Sequence, residues 1–419
     1  MEIINYDVIV IGGGAAGMMA AGTAAQNGHK VALLEKMEKP MRKVRITGKG
    51  RCNLTNDKPR EEFLAKVQTN ADFFESAFDT FDNKKLVRFF EKKGVKLATE
   101  QGGRVFPKSG KSWDIADALN IWCKDLEVDI INHAKVEELL LIGKKVRGVS
   151  YRTKKGFARR MEAPKVIIAT GGASYPATGS TGDGYALAHS AGHTIEPIRP
   201  SLVPLVCSLP DFSYLSGLFL RNIKAKLMVD GTVVSEEFGE MSCSQRGLEG
   251  AVVLRMSRQA VDALIDERQV ELSVDLKPAL EEDILMDRIE REIEALDPEA
   301  PTVDLLRKMM PRELVGSIVR IIDSHQKRAV KLFDEKRREA LVKALKDFRF
   351  PISDYRPFEE AIVTAGGVSV DEINPETMQS RIISGLYFAG EVMDLDANTG
   401  GYNLQIAFST GYLAGLLKD

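Results

Sequence analysis

Gly12, Gly14 and Gly17 stand in the run Gly12-Gly13-Gly14-Ala15-Ala16-Gly17, directly after a mostly β-branched stretch from Tyr6 to Ile11. Backbone without side chains at that spacing suits one task, which is to bring amides against a diphosphate. Gly12 permits a tight turn, Gly14 lets the main chain approach the phosphates, and Gly17 lets a following helix pack closely on the strand. Ala15 and Ala16 then open that helix, whose N-terminal amides and dipole favour an anion. A second apolar run, Lys30 to Leu34, ends in Glu35 about 20 residues beyond the glycines, where a carboxylate accepts hydrogen bonds from a ribose hydroxyl. The competing reading is a packing turn followed by an exposed strand end. Strand, turn, helix, strand and acid in that order favour the dinucleotide site.

The far end of the chain separates flavin from nicotinamide. Ser384 to Glu391 reads as a turn, a buried strand, then Gly390 and Glu391, with Asp394 just beyond. A strand returning beside the first one carries Gly390 and Glu391 to the ribityl–phosphate part of a flavin nucleotide. Gly400, Gly401, Tyr402 and Asn403 then open a helix with Leu404, Phe408, Tyr412 and Leu416 on one stripe. Its N-terminal amides aim at the flavin pyrimidine ring, where a helix dipole stabilises the negative charge of the reduced ring. Nicotinamide has no such requirement, so the pattern favours FAD. Between the two ends, Lys165 to Ile168 reads as a third strand running into Thr170, Gly171 and Gly172.

Long motifs link these pieces: Thr47-Gly48-Lys49-Gly50-Arg51-Cys52-Asn53-Leu54-Thr55-Asn56, Gly103-Arg104-Val105-Phe106-Pro107, Gly171-Gly172-Ala173-Ser174-Tyr175-Pro176, Thr178 to Gly184, Thr364 to Val368, and Gly400 to Gln405. In these strings the chain resembles, nearly end to end, the flavoprotein family that includes aminoacetone oxidases, a bile-acid enoyl reductase and a ribosomal-RNA dihydrouridine synthase. The resemblance implies FAD. It also implies cofactor contacts from Lys36, Lys43, Thr47, Gly48, Gly50, Arg51, Cys52, Asn53 and Val136, and from Gly401, Tyr402, Asn403, Leu404 and Gln405.

The implied fold is α/β: a two-dinucleotide-fold type FAD-binding Rossmann domain, split in sequence, with an inserted small β-barrel and a helical subdomain. The residues agree. At 419 residues the chain exceeds what one core usually serves. Short strand-like runs fill Leu202 to about Leu276, including Ile223 to Val229 and the turn Asp230-Gly231. Glu281 to Phe348 is helical and charged, broken at Asp297-Pro298 and Met310-Pro311, and Pro351 and Pro357 punctuate the return. The expected division is 1–196 and 351–419 for the FAD domain, 197–278 for the barrel and 279–350 for the helices. No second G-x-G-x-x-G opens a strand–helix unit, so NAD(P)H, as electron donor, is expected to dock transiently on the flavin face or not at all, rather than in a domain of its own.

Arg42, Lys43, Arg45, Lys49 and Arg51 fall within ten residues, and Arg104, Lys108 and Lys111 join them if the second motif lies near. Some of these hold the FAD diphosphate; the surplus suggests an anionic substrate, against the plain alternative of a solvated basic loop. From Arg320 to Arg349 ten basic residues face five acidic ones, and Lys327, Lys331 and Arg338 could share a helical face able to follow a phosphate backbone. A solvated, salt-bridged helix is the commoner origin of that pattern. Cys52, Tyr175 and Tyr402 are the candidate proton donors, with Cys52 read first as a small buried residue in a tight turn. His133 and His193 show no partner and receive no catalytic role.

Composition sets the class. The chain is 44% hydrophobic and 28% charged with a net charge of −2, an ordinary globular balance that leaves local basic surfaces open. Four scattered cysteines without metal-like spacing suit a reducing compartment, and a cytoplasmic location is expected. Val8 to Asn27 lacks charge, but five glycines in it argue for a turn and a packed helix over a membrane span. The expected activity is NAD(P)H-driven reduction of an activated C=C bond, with a small molecule or a uridine of ribosomal RNA as substrate. The alternatives are an amine oxidase that passes electrons to oxygen and a non-catalytic flavin-binding regulator.

Overall fold

Val8–Ile11 (β1) is apolar at every position and buried on both faces, as a central parallel strand must be. In the computed structural model, which describes residues 6–209 and 212–418, it is followed by Ala15–Gln26 (α1) and Val31–Glu35 (β2). The uncharged stretch of the sequence is thus cut by the glycine turn into a four-residue strand and a twelve-residue helix. Among the described residues no helix is long and apolar enough to cross a membrane.

The chain divides into two compact units, Met1–Pro200 with Phe358–Asp419, and Ser201–Pro357. In the first, β1 and β2 join Asp129–Asn132 (β3), Lys165–Ile168 (β4) and Leu386–Phe388 (β5) in a five-stranded sheet of order β5-β4-β1-β2-β3. Every pairing is parallel, with Val8 opposite both Val31 and Lys165. The returning strand therefore lies beside β4 and not beside β1, contrary to the sequence reading.

The terminal helix Tyr402–Gly415 (α2) packs on α1 through glycines. A Cβ on Gly411 would meet the Ala16 carbonyl at 2.4 Å, and one on Gly415 the Ala20 carbonyl at 2.5 Å. Such close approach buries α2 around most of its circumference, so the expected amphipathic stripe is corrected: of its members Phe408 is buried and Leu404, Tyr412 and Leu416 are half-buried, while Ile406, Ser409 and Thr410, off the stripe, are buried. A three-stranded antiparallel sheet, Lys135–Ile142, Lys145–Arg152 and Ala158–Glu162, stands between β3 and β4 in sequence.

The second unit holds a closed six-stranded barrel in the order Leu205–Cys207, Gly247–Glu249, Thr232–Ser244, Phe219–Val229, Val270–Asp275, Phe348–Tyr355. Asp230-Gly231 makes the hairpin turn, with Val229 paired to Thr232. The last barrel strand comes from beyond the helices, in a stretch the sequence reading divides between the helical piece and the returning domain. Helices Glu282–Glu294, Thr302–Met309, Arg312–Ile321 and Glu335–Lys346 are interrupted at the two proline sites. Lys327, Lys331 and Arg338 do not share a helical face. Lys327 sits in a turn, Lys331 in the short 3-10 turn Val330–Leu332 and Arg338 in the last helix. Lys331 is paired with Glu299, and Arg338 lies 2.9 Å from Glu290. The stripe dissolves because the stretch at 322–334, between the helices Arg312–Ile321 and Glu335–Lys346, breaks the helix that would have aligned it.

Candidate cofactor site

The glycine turn has the geometry its spacing demands. Gly12 has φ +102°, and a Cβ there would lie 2.6 Å from the Ala169 carbonyl. A Cβ on Gly17 would lie 1.8 Å from the Gly12 carbonyl, so only glycine lets α1 sit this close to the turn. Gly14 is different: its backbone is extended and a Cβ would meet nothing within 4 Å, so this position faces open space. Gly14 caps α1 with no side chain bonded to the helix's first turn and no acid in it, which leaves the leading amides of Ala15 and Ala16 to a ligand.

A cleft opens in front of that turn. It is lined by Gly12, Gly14, Glu35, Lys36, Lys43, Val136 and Thr170, all expected from sequence, and also by Ser180 and Asp183. Glu35 is 8% exposed and accepts hydrogen bonds from the Gly13 amide at 2.8 Å and the Met37 amide at 2.7 Å. Each carboxylate oxygen keeps a lone pair for a ribose hydroxyl. Lys36 reaches Asp183 at 2.6 Å, tying the end of β2 to the start of the helix Asp183–Ser190.

Behind the cleft, Lys43 donates to the Ser174 hydroxyl at 2.6 Å and to the Glu391 carboxylate at 2.9 Å. Glu391 also accepts from the Ser174 hydroxyl at 2.9 Å and from the Thr364 amide at 2.8 Å. The Thr364 hydroxyl in turn accepts from the Ala173 and Ser174 amides. Gly171 adopts φ +73°, and a Cβ on Gly172 would strike the Thr364 hydroxyl at 2.5 Å. Gly390 must be small because a Cβ would come within 2.8 Å of the Ala16 Cβ. Ser174 and Thr364 lay within the recognised motifs, yet nothing in their local spacing marks them as parts of one charged network.

Asp394 accepts from the Gly366 amide at 3.1 Å and from the Asn70 side chain at 3.2 Å. Burial, and then the neighbouring Asp396 carboxylate, hold its pKa above the usual aspartate value. Gly401 begins α2 at φ +101°, where a Cβ would lie 2.3 Å from the Thr55 carbonyl, and no side chain caps the helix. Asn403 grips the preceding loop through the Ala397 amide and carbonyl. Asn53 carries a buried side-chain oxygen with no partner. This orphaned acceptor, the uncapped starts of α1 and α2 and the open space at Gly14 fit a flavin dinucleotide.

Other expected residues have partners within the protein. Arg51 is paired with Glu100 and stacks 4.4 Å from the Phe106 ring, drawn there by the hairpin of Leu97–Glu100 and Arg104–Pro107. Gln405 is fully buried: it accepts from Thr55 at 2.7 Å and donates to the Phe81 carbonyl and to Ser409, each at 2.9 Å. It therefore locks α2 to the neighbouring strand. Thr47, Gly48 and Gly50 shape a turn in which the Thr47 hydroxyl bonds the Val44 carbonyl and Gly48 and Gly50 take positive φ.

Cys52 ends that turn at φ +58°, sealed from solvent, and burial pushes its thiol up to about 12. That is the buried-turn reading, with the proton held on sulfur. The Tyr402 phenol is pushed up to about 12, first by burial, and its ring meets Phe63 edge-on at 4.8 Å. Tyr175 is partly exposed in a left-handed turn and donates its amide to the Phe358 carbonyl. His193 does have partners, Ser380 at 2.8 Å and Glu372 at 3.1 Å, both brought in by a distant segment that sequence spacing could not reveal.

With this parallel sheet, glycine turn, buried acid and charged seat, the protein is an FAD-dependent oxidoreductase. Residues 6–417 match the HI0933-like protein Rossmann domain, and the chain belongs to that family. It is 31% identical over 408 residues to a 3-dehydro-bile acid delta(4,6)-reductase of Clostridium scindens, covering 97% of each chain. It is 29% identical over 411 residues to the ribosomal RNA dihydrouridine synthase of Escherichia coli, covering 97% of this chain and 96% of that one. In fold it is similar to a 3-ketosteroid delta1-dehydrogenase from Sterolibacterium denitrificans, with a TM-score of 0.56, 15% identity and coverage of 98% and 99%.

Proposed function

We propose that this chain reduces an activated carbon–carbon double bond with NAD(P)H as electron donor, and that a uridine in RNA is its substrate. The observation that carries the reading is the end-to-end likeness to two relatives, one named a delta(4,6)-reductase and the other a ribosomal RNA dihydrouridine synthase. Bound FAD supplies the two-electron carrier between nicotinamide and alkene. The chain's own residues hold and orient it. The uncapped amides at Ala15 and Ala16 take the diphosphate, Glu35 the ribose, and Lys43 with Glu391 the middle of the cofactor. The start of α2 directs its dipole at the ring.

Saturating a C=C bond needs a hydride at one carbon and a proton at the other. Tyr402 keeps its phenol proton through the neutral range, and Tyr175 is the partly exposed alternative. Cys52 is too deeply enclosed to deliver one. Four free buried thiols accord with work in the cytoplasm. The test is anaerobic mixing of the FAD-loaded protein with NADH and with NADPH while following the visible flavin band. Bleaching, followed by dihydrouridine formation in RNA, is the expected result. A band that persists with both donors overturns the reductase reading, and peroxide release with small amines would put an oxidase in its place.

A further inference from the structure

Trp113 opens the helix Trp113–Asp125 and is 50% exposed, which is unusual for an indole. The Arg45 guanidinium lies 4.2 Å from its ring centre and the Lys39 ammonium 5.3 Å. The turn before it is pinned to the basic loop: the Ser112 amide donates to the Gly50 carbonyl at 2.8 Å and its hydroxyl to the Arg45 carbonyl. Lys49 and Lys111 flank these contacts and are exposed. On the other side an open groove lined by Lys96, Lys108, Asp114 and Asp117 adjoins the same helix.

The carboxylates of this face are engaged, while many of its cations are not. Asp117 pairs with Arg45, Glu100 with Arg51, Glu38 with Arg42, and Asp114 accepts from Ser109. Among the described residues, Lys49, Lys96, Lys108 and Lys111 have no carboxylate partner. The result is a row of uncompensated ammonium groups beside the helix that begins with one exposed aromatic ring, next to the loop that carries Asn53. Lys39 also lines the cofactor cleft, so the row runs up to its edge.

We infer that this row docks a single-stranded polynucleotide, its phosphates on the lysines and one base stacked on Trp113. Stacking on an exposed ring together with a cationic track is the physics of single-strand binding. A duplex keeps its bases paired and cannot offer one to the indole. The inference rests on the reading above only for what happens to the strand once it is docked.

The chain has two tryptophans, and Trp122 is 4% exposed with its ring edge-on to Phe89 at 4.8 Å. In FAD-loaded Trp122→Phe protein the indole emission therefore reports Trp113 alone. Titration with a single-stranded oligouridylate should quench that emission saturably, with affinity falling as salt rises. Trp113→Ala should weaken binding roughly five- to hundredfold, by a separately labelled strand. Lys96→Glu with Lys108→Glu should flatten the salt dependence, while both variants retain bound flavin and its reduction by nicotinamide. Unquenched emission at low salt, or equal quenching by a duplex, overturns the docking surface. Tight strand binding without dihydrouridine formation leaves the surface standing and fells the uridine reading; reduction of a small enone without strand binding does the reverse.

Discussion

The ammonium group of Lys43 lies 2.9 Å from the carboxylate of Glu391, although 348 positions separate them in sequence. Ser174 and the Thr364 amide complete the same seat, so four distant segments meet at one carboxylate. Removing Lys43 leaves Glu391 part-buried without its counter-charge. Lys43→Ala should lower FAD affinity by roughly tenfold or more, on the scale of a lost charge-assisted hydrogen bond. Flavin retained through gel filtration measures it, and Glu391→Gln, which keeps acceptor shape, should lose less than Glu391→Ala.

Gly14 and Gly17 should answer to alanine in opposite ways. At Gly17 the new Cβ meets the Gly12 carbonyl at 1.8 Å, and the helix must shift away from the turn. Gly17→Ala should cost about 3 kcal/mol or more, as overpacking against backbone does, and lower the melting temperature of the flavin-free protein. Gly14→Ala meets no protein atom within 4 Å, so it should melt near wild type yet bind FAD poorly. Parallel melting curves with and without FAD separate the two.

The cysteines should make the protein sensitive to alkali. Burial pushes Cys52, Cys123 and Cys243 up to about 12 and Cys207 up to about 11. The folded chain keeps these protons where the unfolded chain releases them, near the ordinary cysteine pKa of about 8.5. Their contribution is fully present below that pH and is lost as pH rises through the folded values. Urea midpoints should fall with pH above that point, and Cys123→Ala should flatten the slope. An unchanged slope would count against it.

His193 sets an acid limit. Burial holds its pKa below the ordinary histidine value, against the opposing pull of Glu372. The unfolded chain then binds a proton that the folded chain refuses. Its stabilisation is complete above about 6.5 and is lost as pH falls from there toward the folded value. His193→Gln should reduce the drop in melting temperature across that window without altering flavin content at neutral pH.

Local chemistry made much of this protein legible in sequence. Gly12, Gly14, Gly17 and Glu35 are close in the chain, and the constraint on each is set by its own backbone or its near neighbours, so spacing was enough to place the dinucleotide turn. The hairpin at Asp230-Gly231 and the helix breaks at Pro298 and Pro311 are local in the same sense. Other features depended on which segments meet. The place of Leu386–Phe388 beside Lys165–Ile168 follows from sheet order, which apolar strands do not encode individually. Gln405 meets Thr55, Phe81 and Ser409, and Arg51 meets Glu100 and Phe106, pairings that no local spacing shows. The sequence by itself determined the glycine turn and the acid that follows it, because those demands act through the backbone over a few residues, and its long motifs pointed to a flavin dinucleotide. Only the tertiary structure decided which charges face one another, because Coulomb and hydrogen-bond partners are chosen by distance in space.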